Sequence, residues 1–330
     1  MILIMKSIAI FKYLFTTAFI LALLSSCNNP FKVDVSDIPP ANVHINRYEK
    51  ALFEYELDAA YIKELQKQYP LFLGDLPLDS LQITQLLNYV NDPYLAKLFE
   101  ETEKNFPHLS DIEQELSHSF RYIKYYIPSF NYPEVYSYIS GRQEGAFFED
   151  GIIVVSLDHY LGYGHESYNI TQIPKYKQFV MSKEYFVRDV LLAIAQSYIL
   201  EPPQEAHLID HMIYHGKLLY FIKSMNPEIS DRVLFAQTET HLDWLKRKER
   251  DLWRYYIENE LLYKSDYMAY NSFINDAPFT SVLGDDSAPR TGVWLGYQII
   301  YSYMKKNKVS FTEMLEDKKG QKILAKSGFK

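Results

Sequence analysis

From Arg47 onward, apolar positions recur at helical spacing. Leu81, Leu86, Leu87 and Val90 predict one helix. Ile112, Leu116, Phe120, Ile123 and Ile127 repeat at steps of three and four, an amphipathic helix stopped by Pro128. Ser110-Asp111-Ile112-Glu113 supplies a capping-box pattern at its start. The period then changes. Val135 to Ile139 is rich in strand formers, and Ala146-Phe147-Phe148 and Ile152 to Leu157 flank Glu149-Asp150-Gly151. Asp-Gly between apolar strand formers predicts a tight hairpin, because Gly tolerates the positive φ such a turn requires. A small three-stranded antiparallel sheet is therefore expected to interrupt a helical protein. Helical periods resume over about 184–200, 203–223, 231–263 and 292–306, and Ser310-Phe311-Thr312-Glu313 opens a last short helix. The expected fold class is α+β, mostly helical.

The N-terminus follows another rule. Lys6 and Lys12 precede Tyr13 to Leu24, an uncharged apolar run of about 12 residues. That is too short for a spanning helix of roughly 20 residues and suits a signal peptide. Leu24-Ser25-Ser26-Cys27 resembles the lipobox of bacterial lipoproteins, which implies cleavage between Ser26 and Cys27 and lipidation of Cys27. Residues 1–26 are thus read as a lipoprotein signal peptide. Residues 27–45, with Pro30, Pro39 and Pro40, are read as a lipidated N-terminus and tether. Residues 46–330 are read as a single α-rich domain without internal repeats. No later apolar run approaches 18 residues; Val187 to Leu200 is interrupted by Arg188, Asp189 and Gln196. The expected contact with a membrane is through Cys27, outside the cytoplasm.

Composition narrows the function classes. Hydrophobic residues are 48% and charged residues 23%, which excludes a disordered tail, a collagen and a coiled coil. The net charge of −8 argues against a nucleic-acid partner. Tyr303 to Lys330 is locally basic, with eight Lys against three acidic residues, and reads as a solvated face and tail. A single cysteine excludes an intramolecular disulfide and a Cys-based zinc site.

His207, His211 and His215 are the metal candidates, on one stripe of a helix. The outer two are about 12 Å apart along the axis and cannot share an ion. With a third ligand from elsewhere, His207 and His211 would make a zinc metallohydrolase, the alternative reading of the chain. Leu208, Ile209, Met212, Ile213 and Leu219 build the apolar face, so His207 and His211 are expected on the opposite, solvated side. His-Glu-x-x-His is absent here, and the inverted form occurs only as His207-Leu208-Ile209-Asp210-His211, with the shorter Asp in place of Glu. His165 in the loop Gly162-Tyr163-Gly164-His165 is expected to face solvent. No nucleophile elbow, phosphate loop or dinucleotide fingerprint occurs, and no cofactor is expected.

Several segments carry a family resemblance. They are Phe31-Lys32-Val33-Asp34-Val35-Ser36, Arg47 to Phe53, Gly145 to Ile153, His211-Met212-Ile213-Tyr214-His215-Gly216-Lys217, Ala288-Pro289-Arg290-Thr291-Gly292-Val293-Trp294-Leu295-Gly296, and Ile323 to Phe329. In their order and span the chain resembles the gliding motility lipoprotein B (GldB) family of Bacteroidetes. That family is similar in turn to predicted zinc-dependent proteases with a zincin-like domain. In those enzymes a His-Glu-x-x-His helix follows the small sheet, and a later Glu-Gly-Lys offers a third ligand. The matching positions here are Ala195-Gln196-Ser197-Tyr198-Ile199 and His215-Gly216-Lys217. Ala and Ile cannot ligate zinc, and Gln is no base near neutral pH. The resemblance thus implies a degenerate zincin-like scaffold without protease chemistry. It implies a lipid-anchored component of gliding motility and type IX secretion, facing the periplasm. Its partners would be other envelope proteins, and it would not be an enzyme.

Overall fold

The computed structural model describes residues 29–141 and 145–330. Ser26, Cys27 and the signal segment lie outside the described residues. The chain divides into two units between Asp34 and Val35, and of the first only residues 29–34 are described. In the first, the Phe31 amide donates to the Asn29 side-chain oxygen at 3.1 Å. The second holds the strands and helices that follow.

Its first half runs β1 (Ile45–Arg47), α1 (Tyr48–Phe53), α2 (Ala59–Gln68), α3 (Pro70–Leu73), α4 (Ser80–Val90), α5 (Pro93–Asn105) and α6 (Ser110–Tyr126). Next come β2 (Glu134–Tyr138), β3 (Ala146–Glu149), β4 (Ile152–Ser156), α7 (Glu166–Ile170) and α8 (Lys175–Gln178). The second half is α9 (Phe186–Tyr198), α10 (Leu208–Met225), α11 (Asp231–Phe235), α12 (Glu239–Glu258), α13 (Tyr267–Ile274), α14 (Thr291–Lys306), α15 (Phe311–Glu316) and α16 (Gly320–Ser327).

The mostly helical α+β class holds, but the sheet differs from the expected three antiparallel strands. It has four strands in the order β1-β2-β4-β3, and only β3 and β4 are antiparallel. The hairpin forms where Asp150-Gly151 predicts it, with φ of 47° and 79° at the two turn residues. What the hairpin cannot dictate is its outer partner. β2 joins β4 in parallel, and β1 adds to β2, also in parallel. Three residues are too few for β1 to show an alternating pattern. The register places Ile45, Val135 and Ile153 in one row, and all three are buried. A buried carboxylate ties two strand ends together. Asp158 accepts from the amides of Ser140 at 2.8 Å and Gly141 at 3.0 Å, and from the Ser156 hydroxyl.

Two predicted helices change their bounds. The segment expected at 203–223 starts at Leu208, and Pro202-Pro203 lie in the preceding loop. The segment expected at 231–263 is two helices, because Ala236 takes left-handed geometry at φ 53°. Thr238 then caps α12 by accepting from the His241 amide at 3.1 Å. The Ser310 capping box forms as its sequence predicts. The Ser110 box does not: Leu109 holds the N-cap position of α6 without a side-chain bond. Glu113 instead accepts from the Ile45 amide at 2.8 Å, joining α6 to β1.

Helix α10 is the centre of the helical layer and is covered on nearly all sides. It meets α14 backbone to backbone. A Cβ added at Gly296 would lie 1.9 Å from the Met212 carbonyl oxygen, and one at Gly216 would lie 2.3 Å from the Gly296 oxygen. Lys217 is buried there too, donating to the Leu315 carbonyl at 3.1 Å and the Asp317 carbonyl at 2.5 Å. Among the described residues no helix is long and apolar enough to cross a membrane.

Candidate functional site

The histidine stripe is not a solvated face. Because α10 is enclosed by α9, α14 and α16, His211 is only 7% exposed, and His215 is half-buried. Only His207, at the N-cap of α10, is substantially exposed. Each is occupied differently. His207 Nδ1 stands 3.7 Å from Asp210, whose other oxygen accepts from the Gly320 amide at 3.1 Å. Asp210 therefore anchors α16 to α10. His211 Nε2 lies 2.9 Å from the Tyr270 hydroxyl, which gives its one proton to the Gln204 carbonyl at 2.6 Å. That leaves Nε2 as the donor in the pair, without a lone pair for a metal. Burial pulls the His211 pKa below its ordinary value. Burial and the nearby Arg290 and His211 pull His215 down to about 3. Among the described residues no three His, Cys, Asp or Glu side chains converge as a metal centre requires.

His165 also departs from the expected solvent-facing role. It caps α7, its ring Nδ1 lies 2.7 Å from Ser167 Oγ, and Nε2 meets the Glu101 carboxylate. At the α9 positions compared with the protease motif, Ala195 and Ile199 are core residues, and Gln196 reaches the Tyr214 hydroxyl.

The arrangement with most chemical potential lies elsewhere. A cleft of about 670 Å³ opens between the α8 region, α9, the start of α12 and the segments before α13's successor α14. Phe179, Val180, Met181 and Leu192 give it apolar walls, and Arg188, Arg290, Gln237 and His241 give it polar ones. Arg188 is only 8% exposed. Its Nη1 donates to Asp189 at 2.6 Å, and Asp189 also accepts from the Tyr160 hydroxyl at 3.2 Å. Arg188 Nε is buried and bonded to no described residue. Arg290 is held at φ 57°, just before α14, and its Nε stands 3.4 Å from Asp276 without hydrogen-bond geometry. Burial, offset in part by Asp276, and then repulsion from Arg188 pull the Arg290 pKa below its usual value. Gln237 is buried and donates to the Pro289 carbonyl at 3.2 Å, which leaves its Oε1 without a donor.

No sequence motif marks these residues as a site. A charged pair, Arg188-Asp189, inside the apolar run from Val187 to Leu200 was the available signal. Nothing in the sequence brought Arg290 beside it.

The profile of the family described as "Gliding motility protein GldB" matches residues 28–330. No curated protein and no solved structure matches the chain.

Proposed function

The chain belongs to the gliding motility protein GldB family, and from that membership we propose that it is a lipid-anchored, non-catalytic component of the gliding apparatus. It is held in the cell envelope through Cys27, faces the periplasm, and acts by binding other envelope proteins, in step with type IX secretion. The observation that carries this reading is the family match over nearly the whole chain after Cys27. Two further observations support it. The sole cysteine stands where a lipobox needs one. The histidines of α10 are engaged with Tyr270 and Asp210 or lie near Arg290, whose positive charge is hostile to a metal cation.

The test is Cys27→Ser in the host. The variant is expected to lose fatty-acid labelling, leave the membrane fraction and abolish gliding. Unchanged labelling would remove the anchor, and normal gliding by the unlabelled variant would remove its role. Stoichiometric zinc in the purified wild-type protein would count against the non-catalytic reading; none is expected.

A further inference from the structure

The cleft presents two cations that the protein itself leaves incompletely paired. Arg188 spends one terminal nitrogen on Asp189, and no described residue bonds the other. Neither terminal nitrogen of Arg290 is bonded to a described residue, and its one acidic neighbour, Asp276, is poorly aligned. Most buried polar atoms in native proteins find a partner, so three unpartnered ones on a single cleft, Arg188 Nε, Arg290 Nε and Gln237 Oε1, need an explanation. Burying two guanidinium groups near each other is costly unless an anion joins them.

From this geometry we propose that the cleft binds the free C-terminal carboxylate of a peptide chain, between Arg188 and Arg290. Charge selects the anion. Asp189 and Asp276 offset much of the two positive charges. His241, on the same wall, is held toward its neutral form by burial. At the two arginines the site is therefore rich in donors but nearly balanced in charge, while the other lining cations, Lys175 and Lys177, are exposed to solvent, Lys175 donating to the Asn169 side-chain oxygen at 3.0 Å. That suits a monoanion and works against a dianionic phosphate, which the two aspartates would repel. A planar carboxylate also matches the guanidinium fork. Gln237 adds the second criterion. Its unpartnered oxygen calls for an N–H, and the last residue of a peptide carries one beside its carboxylate. The Phe179, Met181 and Leu192 wall then receives an apolar terminal side chain. The volume of about 670 Å³ accommodates one or two residues.

This inference deepens the binding role proposed above and rests on it for its cellular meaning. Its test uses purified protein, so it can fail while the gliding role stands. Full-length protein in detergent is titrated with N-acetyl-phenylalanine, N-acetyl-leucine and their carboxamides, following thermal stability and heat. The acids are expected to bind at least about tenfold more tightly than the amides, and Arg188→Gln to weaken the acids by at least about tenfold. Arg290→Lys keeps the charge without the fork and is expected to weaken them as well. Circular dichroism checks that each variant folds, and the acid-to-amide comparison needs no variant. Equal binding of acid and amide would overturn the proposal. So would inorganic phosphate binding more tightly than either acid, or no binding of either acid at about 10 mM.

Discussion

His215 shows how one side chain can set a pH limit on the fold. It sits half-buried on α10, with Arg290 and His211 close by and Asp276 offsetting them in part. Burial first, and then these two neighbours, hold its pKa down to about 3. In the unfolded chain the same imidazole protonates as the pH falls through about 6.5. Below that value the unfolded state binds a proton that the folded state refuses. Stability therefore falls as pH drops from about 6.5 toward about 3, by at most ~1.4 kcal/mol per pH unit from this group, and is fully present above that window. His215→Gln removes the titration. Urea midpoints at about pH 7.5 and about pH 5.5 are expected to differ less in the variant than in the wild type. Equal differences would show that His215 does not protonate on unfolding in this range.

At the scale of elements, the contact between α10 and α14 decides stability, because the two backbones touch at Gly216 and Gly296. Gly296→Ala places a methyl 1.9 Å from the Met212 carbonyl oxygen, so the helices must separate and open the surrounding core. The expected loss is about 3 kcal/mol or more, seen as a lower urea midpoint with little change in slope. Gly145→Ala is the control. Its added Cβ meets nothing within 4 Å, and the change is expected to stay within about 0.5 kcal/mol. A Gly296→Ala protein as stable as the control would mean that these helices are not closely packed. Such contacts also mark where the sequence stops being legible. The Asp150-Gly151 turn and the Ser310 cap could be read because each depends on a few adjacent residues. The parallel pairing of β1 with β2 could not, since it joins segments on opposite sides of α6. Ser110 failed as a cap because Glu113 found a distant partner in Ile45. The histidine stripe was legible as a stripe, but not as buried. A wheel shows which residues share a side, and α10 has neighbours on more than one. The cleft was least legible of all, because Arg188 and Arg290 meet only through the packing of α9 against the chain before α14.

For the whole molecule, the remaining choice is whether the polypeptide adds to the anchor that Cys27 is proposed to supply. The C-terminal stretch is the one candidate the sequence singles out, and its eight lysines are all exposed. A lysine near an anionic leaflet is worth about 1 kcal/mol, so a clear face of them would matter. They do not act alone. Asp317 pairs with Lys322 at 2.7 Å, the Lys306 ammonium donates to the Gly328 carbonyl at 3.0 Å, and Glu313 and Glu316 lie in the same segment. With the segment included, the whole chain still carries a net charge of −8, which an anionic surface repels. The Cys27→Ser protein is therefore expected to stay in the supernatant when centrifuged with anionic phospholipid vesicles at about 0.15 M salt, where charges are screened beyond about 8 Å. Wild-type protein bearing its lipid is expected to pellet with them. Salt-sensitive pelleting of the Cys27→Ser variant, abolished by replacing Lys318, Lys319 and Lys326 with Gln, would instead make the C-terminal helix a second membrane contact and bind the domain's orientation to the bilayer.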